Sequence, residues 1–96
     1  MKIEIRWIDG GRHASHDDDR RAAEAARAVF KAAQVDPLEA AEAHAYIIEQ
    51  APCSQDDNLI RLSRVWEDAI SAANVAATMG WHDPNGGAVD LIVYRA

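Results

Sequence analysis

The side chains able to do chemistry fall into a His/Asp segment, a lone thiol and a row of carboxylates. His13, His16 and Asp17, followed directly by Asp18 and Asp19, concentrate imidazoles and carboxylates in one short stretch. Such donors suit Zn²⁺ or Ni²⁺, and His13-x-x-His16 is a spacing that a loop or a helical turn can close. Neither a His-Glu-x-x-His arrangement nor a paired Cys motif accompanies it. The plainer reading is preferred: a polar segment whose aspartates meet the positive N-terminal end of a helix, so that no metal or other cofactor is expected. Cys53 is the only cysteine, which excludes an intramolecular disulfide and a Cys-based metal site within one chain. It precedes a helix start, where a thiol becomes more acidic. A nucleophile also needs a base and an oxyanion site, and no spacing here supplies either, so the chain is not expected to be an enzyme.

The carboxylate row points to electrostatic recognition. The chain has a net charge of −6, and that charge is local. Residues 1–31 carry seven basic and six acidic side chains, and residues 61–96 carry three and four. Between Ala32 and Ile60 lie Asp36, Glu39, Glu42, Glu49, Asp56 and Asp57 with no Lys or Arg among them. On a helix Glu39, Glu42, Tyr46 and Glu49 fall along one side, and Asp56 and Asp57 follow just beyond. Neighbouring like charges cost a helix a few tenths of a kcal/mol per pair, and natural surfaces usually interleave the two signs. The row is therefore either a solvated face, with Glu39 and Asp57 serving as caps, or a docking surface for a basic partner with Tyr46 as its aromatic anchor. Trp81, next to Gly80 and the turn-forming Asp83-Pro84-Asn85-Gly86-Gly87, is expected to be exposed and to act as a second anchor.

These side chains must be positioned by a small α+β domain spanning residues 1–96, of order β-α-α-α-β. Ile3, Ile5 and Trp7 alternate with Lys2, Glu4 and Arg6, the period of a half-buried strand, and Asp9-Gly10-Gly11 ends it. The polar run from Arg12 to Asp19 reads as a loop into the first helix, capped by Ser15 with Asp18 or by one of the aspartates. That helix buries Ala22, Ala26, Val29, Phe30 and Ala33. Asp36 as N-cap and Pro37 as first helical residue start a second helix running to about Gln50, with Leu38, Ala41, Ala45 and Ile48 facing the core and the carboxylates opposed to them. Ser54 and Asp57 read as a capping box for a third helix, whose stripe is Leu59, Leu62, Trp66, Ile70, Ala73 and Ala77, with Gly80 closing it. Arg20, Arg21, Arg27, Arg61 and Arg64 are expected to pair with Asp17–Asp19, Glu24, Asp57 and Asp68. Val89, Leu91 and Val93 alternate with Asp90, Ile92 and Tyr94 in a last strand that is apolar on both sides, and an extra short hairpin strand is expected near 79–83. The two terminal strands should pair with each other beneath the helices.

Half of the chain is hydrophobic (49%), but much of that is Ala, so the core is thin and a homodimer or assembly subunit is the competing expectation. The sequence pI of about 5.0 argues against direct binding to nucleic acid, which requires Lys and Arg to neutralise phosphates. The alternating start Met1-Lys2-Ile3-Glu4-Ile5-Arg6 is unlike a signal peptide, and no apolar run approaches the ~20 residues of a membrane span; a cytoplasmic protein is expected. In size, acidity and lack of motifs the chain resembles the small inhibitors that phages and mobile elements encode, anti-CRISPR proteins among them. No motif is shared, so no residue role is carried over. The likeness implies a larger basic, nucleic-acid-binding protein or nucleoprotein complex as target, with carboxylates standing in for phosphates.

Overall fold

The alternation of Ile3, Ile5 and Trp7 with charged residues builds strand β1, Lys2–Asp9, in the computed structural model, which describes residues 1–79, 81 and 87–95. A 3-10 turn at Gly11–His13 follows, then helices α1 (His16–Ala33), α2 (Pro37–Gln50) and α3 (Asp57–Ala77), and strand β2 (Ala88–Tyr94). The terminal strands pair antiparallel in a two-stranded sheet, with Ile3 opposite Val93, Ile5 opposite Leu91 and Trp7 opposite Val89. Ile3, Val89 and Leu91 are buried, and with Ala22, Ala26, Phe30, Leu62, Trp66, Ala69 and Ala73 they form one core between sheet and helices. The fold is thus α+β with the expected element order. Met79 lies in a turn and Trp81 is not in a strand; positions 80, 82 and 83, the rest of the expected extra hairpin strand and the expected closing Gly80, lie outside the described residues.

Local chemistry explains the helix starts. Ser15 and Asp18 form a reciprocal capping box: Ser15 Oγ accepts from the Asp18 N–H at 3.1 Å, and Asp18 Oδ2 accepts from the Ser15 N–H at 2.8 Å. Capping at Ser15 brings Asp17–Asp19 inside the first turn of α1, so the loop expected through Asp19 is shorter than anticipated. Asp36 caps α2 by accepting from the Leu38 N–H at 2.9 Å, with Pro37 first in the helix. At α3 the cap is Asp56, which accepts from the N–H groups of Asn58 and Leu59. The Ser54/Asp57 box does not form; Ser54 Oγ instead accepts from the Asp56 N–H at 3.2 Å and orients the residue that caps.

The main departure from expectation is the roll of α2. Its buried residues are Ala40 and Ala43, whereas Leu38 and Ala41 are half-buried, Ala45 is exposed and Ile48 is 61% exposed. Trp66 of α3 lies in the interior, with Phe30 of α1 tilted against it at 6.0 Å, and Ala40 and Ala43 share that core. The His44 ring lies 6.3 Å from that of Trp66, and His44 Nδ1 is hydrogen-bonded to the buried Ser63 hydroxyl at 3.1 Å. Ala33, at the end of α1, is exposed rather than buried.

The sheet is joined to α3 by Asn74. Its Oδ1 accepts from the Val89 N–H at 2.8 Å, and its Nδ2 donates to the carbonyls of Val89 at 3.1 Å and of Ile70 at 2.8 Å. The opposite side of the sheet carries Lys2, Glu4, Arg6, Asp90, Ile92 and Tyr94. Arg6 pairs with Asp90 at 3.1 Å, and the Tyr94 hydroxyl donates to Glu4 Oε1 at 2.5 Å, a bond that raises the phenol above its ordinary pKa of 10. Ile92 there is 41% exposed, so the apolar outer side of β2 is not covered by the described residues of this chain.

Candidate acidic docking surface

Rolling Ala40 and Ala43 onto α3 carries Glu39, Glu42 and Tyr46 to the edge of the α2–α3 contact rather than directly opposite the core. With Asn58, Leu59 and Leu62 they line one groove between the two helices. Tyr46, 46% exposed, sits over this apolar floor with carboxylates on its own helix at the preceding turns. Glu49 is exposed at the C-terminal end of α2, and Asp56 and Asp57 are exposed where α3 begins. Asp56 spends its side chain on capping, while neither Glu39 nor Asp57 takes a capping hydrogen bond among the described residues.

No Lys or Arg pairs with any of these carboxylates among the described residues. The ion pairs that do form lie on α1 and the sheet: Arg20 with Asp17 and Glu24, both at 3.6 Å, Arg21 with Asp18, and Arg6 with Asp90. Arg61, expected to reach Asp57, donates to Asn58 Oδ1 at 3.0 Å. Among the described residues the expected pairings are therefore made by Arg20 and Arg21 and not by Arg27, Arg61 or Arg64; Arg27 donates instead to the Met1 carbonyl. Exposed and uncompensated, the row projects a negative field that decays over ~8–10 Å at physiological ionic strength.

Trp81 does not join this surface. It is half-buried, and its ring stacks on Trp7 with centroids 5.4 Å apart and planes 2° from parallel. Trp7 Nε1 donates to Asp19 Oδ1 at 2.6 Å, which anchors the stack to α1. The expectation of a free aromatic anchor is thus corrected: with Trp7 half-exposed at the end of β1, stacking two large rings removes more apolar surface from water than leaving both free.

His13 lies in the 3-10 turn and accepts from its neighbour Arg12 at 3.3 Å. Asp17 pairs with Arg20, and Asp18 with Arg21. Among the described residues no three His, Cys, Asp or Glu side chains come together as a metal site. Cys53 is an exposed free thiol in the α2–α3 connection. The Asp18 carboxyl is held below its ordinary pKa of 3.8, chiefly by the hydrogen bond from the Ser15 N–H and further by Arg21.

His44, Ser63 and Asn74 were missed by reading the sequence. Polar residues inside apolar helices become legible only when the neighbouring element is known. Ser63 and His44 link α2 to α3 through their side-chain hydrogen bond.

No protein-family model, curated protein or solved structure matches this chain. Fold and surface together define its class: a small α+β protein, helices on a two-stranded antiparallel sheet, with a one-signed helical face. No helix among the described residues is long and apolar enough to cross a membrane.

Proposed function

We propose that this chain is a non-catalytic binding protein that sets its acidic α2 face, with Tyr46 as anchor, on a basic nucleic-acid-binding surface of a larger partner. The observation that carries this reading is the exposure of Glu39, Glu42, Glu49, Asp56 and Asp57 without a cationic partner among the described residues. Carboxylates spaced along a helix present charge at intervals a phosphate-binding groove can accept, and such complementarity governs encounter rate and choice of partner. The Tyr46 ring over the α2–α3 groove adds contact area of the kind that dominates interface energetics. An inhibitor working by this route occupies the site that nucleic acid would otherwise fill.

The test is capture of partners from host lysate at low and at high salt by the native chain and by the triple variant Glu39→Lys, Glu42→Lys, Glu49→Lys. The expected result is a nucleic-acid-binding partner held at low salt, released at high salt, displaced by duplex DNA, and lost with the triple variant. Circular dichroism of the variant should be unchanged, because all three side chains are exposed. Equal capture by native and variant chains overturns the reading.

A further inference from the structure

The two edges of the sheet are not equivalent. On β2, both the N–H and the C=O of Val89 are bonded to Asn74, and the N–H of Leu91 is bonded to Asp90 Oδ1 at 2.8 Å. Those groups therefore point away from β1, since a residue in an antiparallel ladder directs its N–H and C=O to the same side. The register then fixes the orientation of β1. Ile3, Ile5 and Trp7 stand opposite Val93, Leu91 and Val89, so their N–H and C=O groups point outward along the free edge of β1. Among the described residues no hydrogen bond reaches them. A depression bordered by His16, Arg20 and Ala23 of α1 runs beside Ile3 and Ile5 and leaves this edge approachable.

We infer that the free edge of β1 pairs with β1 of a second copy, in an antiparallel register centred on Ile5, to give a four-stranded sheet shared by a homodimer. The register follows from the sequence. Ile3, Ile5 and Trp7 present the outward hydrogen-bonding groups, so odd positions must oppose odd positions. Centring on Ile5 sets Ile5 against Ile5 of the second copy and Ile3 against its Trp7, which continues the buried apolar side of the sheet across the dyad. On the other side Glu4 faces Arg6 of the second copy, and Arg6 faces Glu4. Because Arg6 already pairs with Asp90, the charge then alternates across three strands. Sliding the pairing by one residue in each chain places Glu4 against Glu4 or Arg6 against Arg6, and like charges directly opposed are destabilising. A second copy is thus the occupant this edge fits, and pairing would cover an exposed edge that otherwise invites irregular association. The inference rests on β1 alone and is independent of the α2 surface.

Sedimentation equilibrium over a wide concentration range, on the native chain and on Glu4→Arg and Arg6→Glu, tests it. Arg6→Glu gives up the Asp90 pair and Glu4→Arg the Tyr94 hydrogen bond; both contacts are exposed and contribute little to stability, so each variant should keep the native circular dichroism spectrum. The native chain should dimerise; each variant alone should dimerise about tenfold more weakly or worse. An equimolar mixture of the two variants should recover a heterodimer, since both charged pairs across the dyad are again of opposite sign. As a readout without substitution, amide hydrogen exchange at Ile3, Ile5 and Trp7 should slow as the native chain is concentrated. A chain monomeric at every concentration overturns the inference, whatever else then fills the edge. So does a dimer that neither variant weakens, a mixture that associates no better than its components, or exchange at those amides that ignores concentration.

Discussion

Asp18 shows how much one side chain can carry in a chain this small. It closes the capping box with Ser15 and receives Arg21, and its carboxyl is 9% exposed. Because these contacts favour the ionised form, its folded pKa lies below the ordinary 3.8. Its contribution to stability is therefore complete above that value and is lost as the pH falls through the depressed folded pKa. Asp18→Asn keeps an acceptor for the Ser15 N–H but removes the charge, and should cost about 1 kcal/mol at neutral pH. In urea titrations the gap between native and variant should close once the pH drops below the folded pKa; a gap constant with pH would mean that the charge is not what stabilises. Gly11 works by absence: a Cβ there would sit 2.7 Å from Trp7 Cβ, so the turn after β1 closes only because glycine leaves that space to the tryptophan.

At the scale of the element, α2 is the instructive case. Its boundaries follow from Asp36, Pro37 and Pro52, which act on the backbone locally, and they fall where expected. Its rotation does not follow, because a stretch with Ala at 40, 41, 43 and 45 offers several faces of nearly equal hydrophobicity, and Leu38 and Ile48 then bias the reading toward the wrong one. What decides is the neighbouring element: Ala40 and Ala43 share the core with Leu62 and Trp66 of α3. Two substitutions separate the faces. Ala40→Leu should overpack the α2–α3 contact and cost about 1–3 kcal/mol, whereas Ile48→Ser, on the exposed side, should change stability by no more than about 0.5 kcal/mol. Thermal unfolding of both variants checks this, and the reverse order would restore the face read from the sequence. The same roll brings Tyr46 and two glutamates to the edge of a groove, so the candidate docking surface is shaped by packing on its hidden side.

For the whole molecule, the question is what keeps a two-stranded sheet in place, since a pair of strands alone is marginal in water. Burial of Ile3, Val89 and Leu91 against the helices supplies most of the attachment, and Asn74 supplies direction. Asn74→Ala would leave the Val89 N–H and C=O without partners and should cost about 1–3 kcal/mol. It should also speed amide exchange at Val89 more than in the helices; uniform acceleration would mean that sheet and helices unfold only together. Charge is segregated at this scale as well. Arg6, Arg20 and Arg21 are matched by carboxylates of the chain, while the span from Ala32 to Ile60 carries six carboxylates and no Lys or Arg.

What the sequence by itself determined is whatever depends on near neighbours along the chain. Period-two alternation marked both strands, Ser15 with Asp18 and Asp36 with Pro37 marked two helix starts, and the absence of Lys and Arg over 32–60 marked the acidic span. These signals act within a few residues, so they survive in one dimension. Tertiary structure alone decided the roll of α2, the stacking of Trp81 on Trp7, the reach of Asn74 to Val89 and which sheet edge stays open. Each of those depends on the shape and free hydrogen-bonding groups of an element distant in sequence, and close packing admits one arrangement among several that local pattern allows.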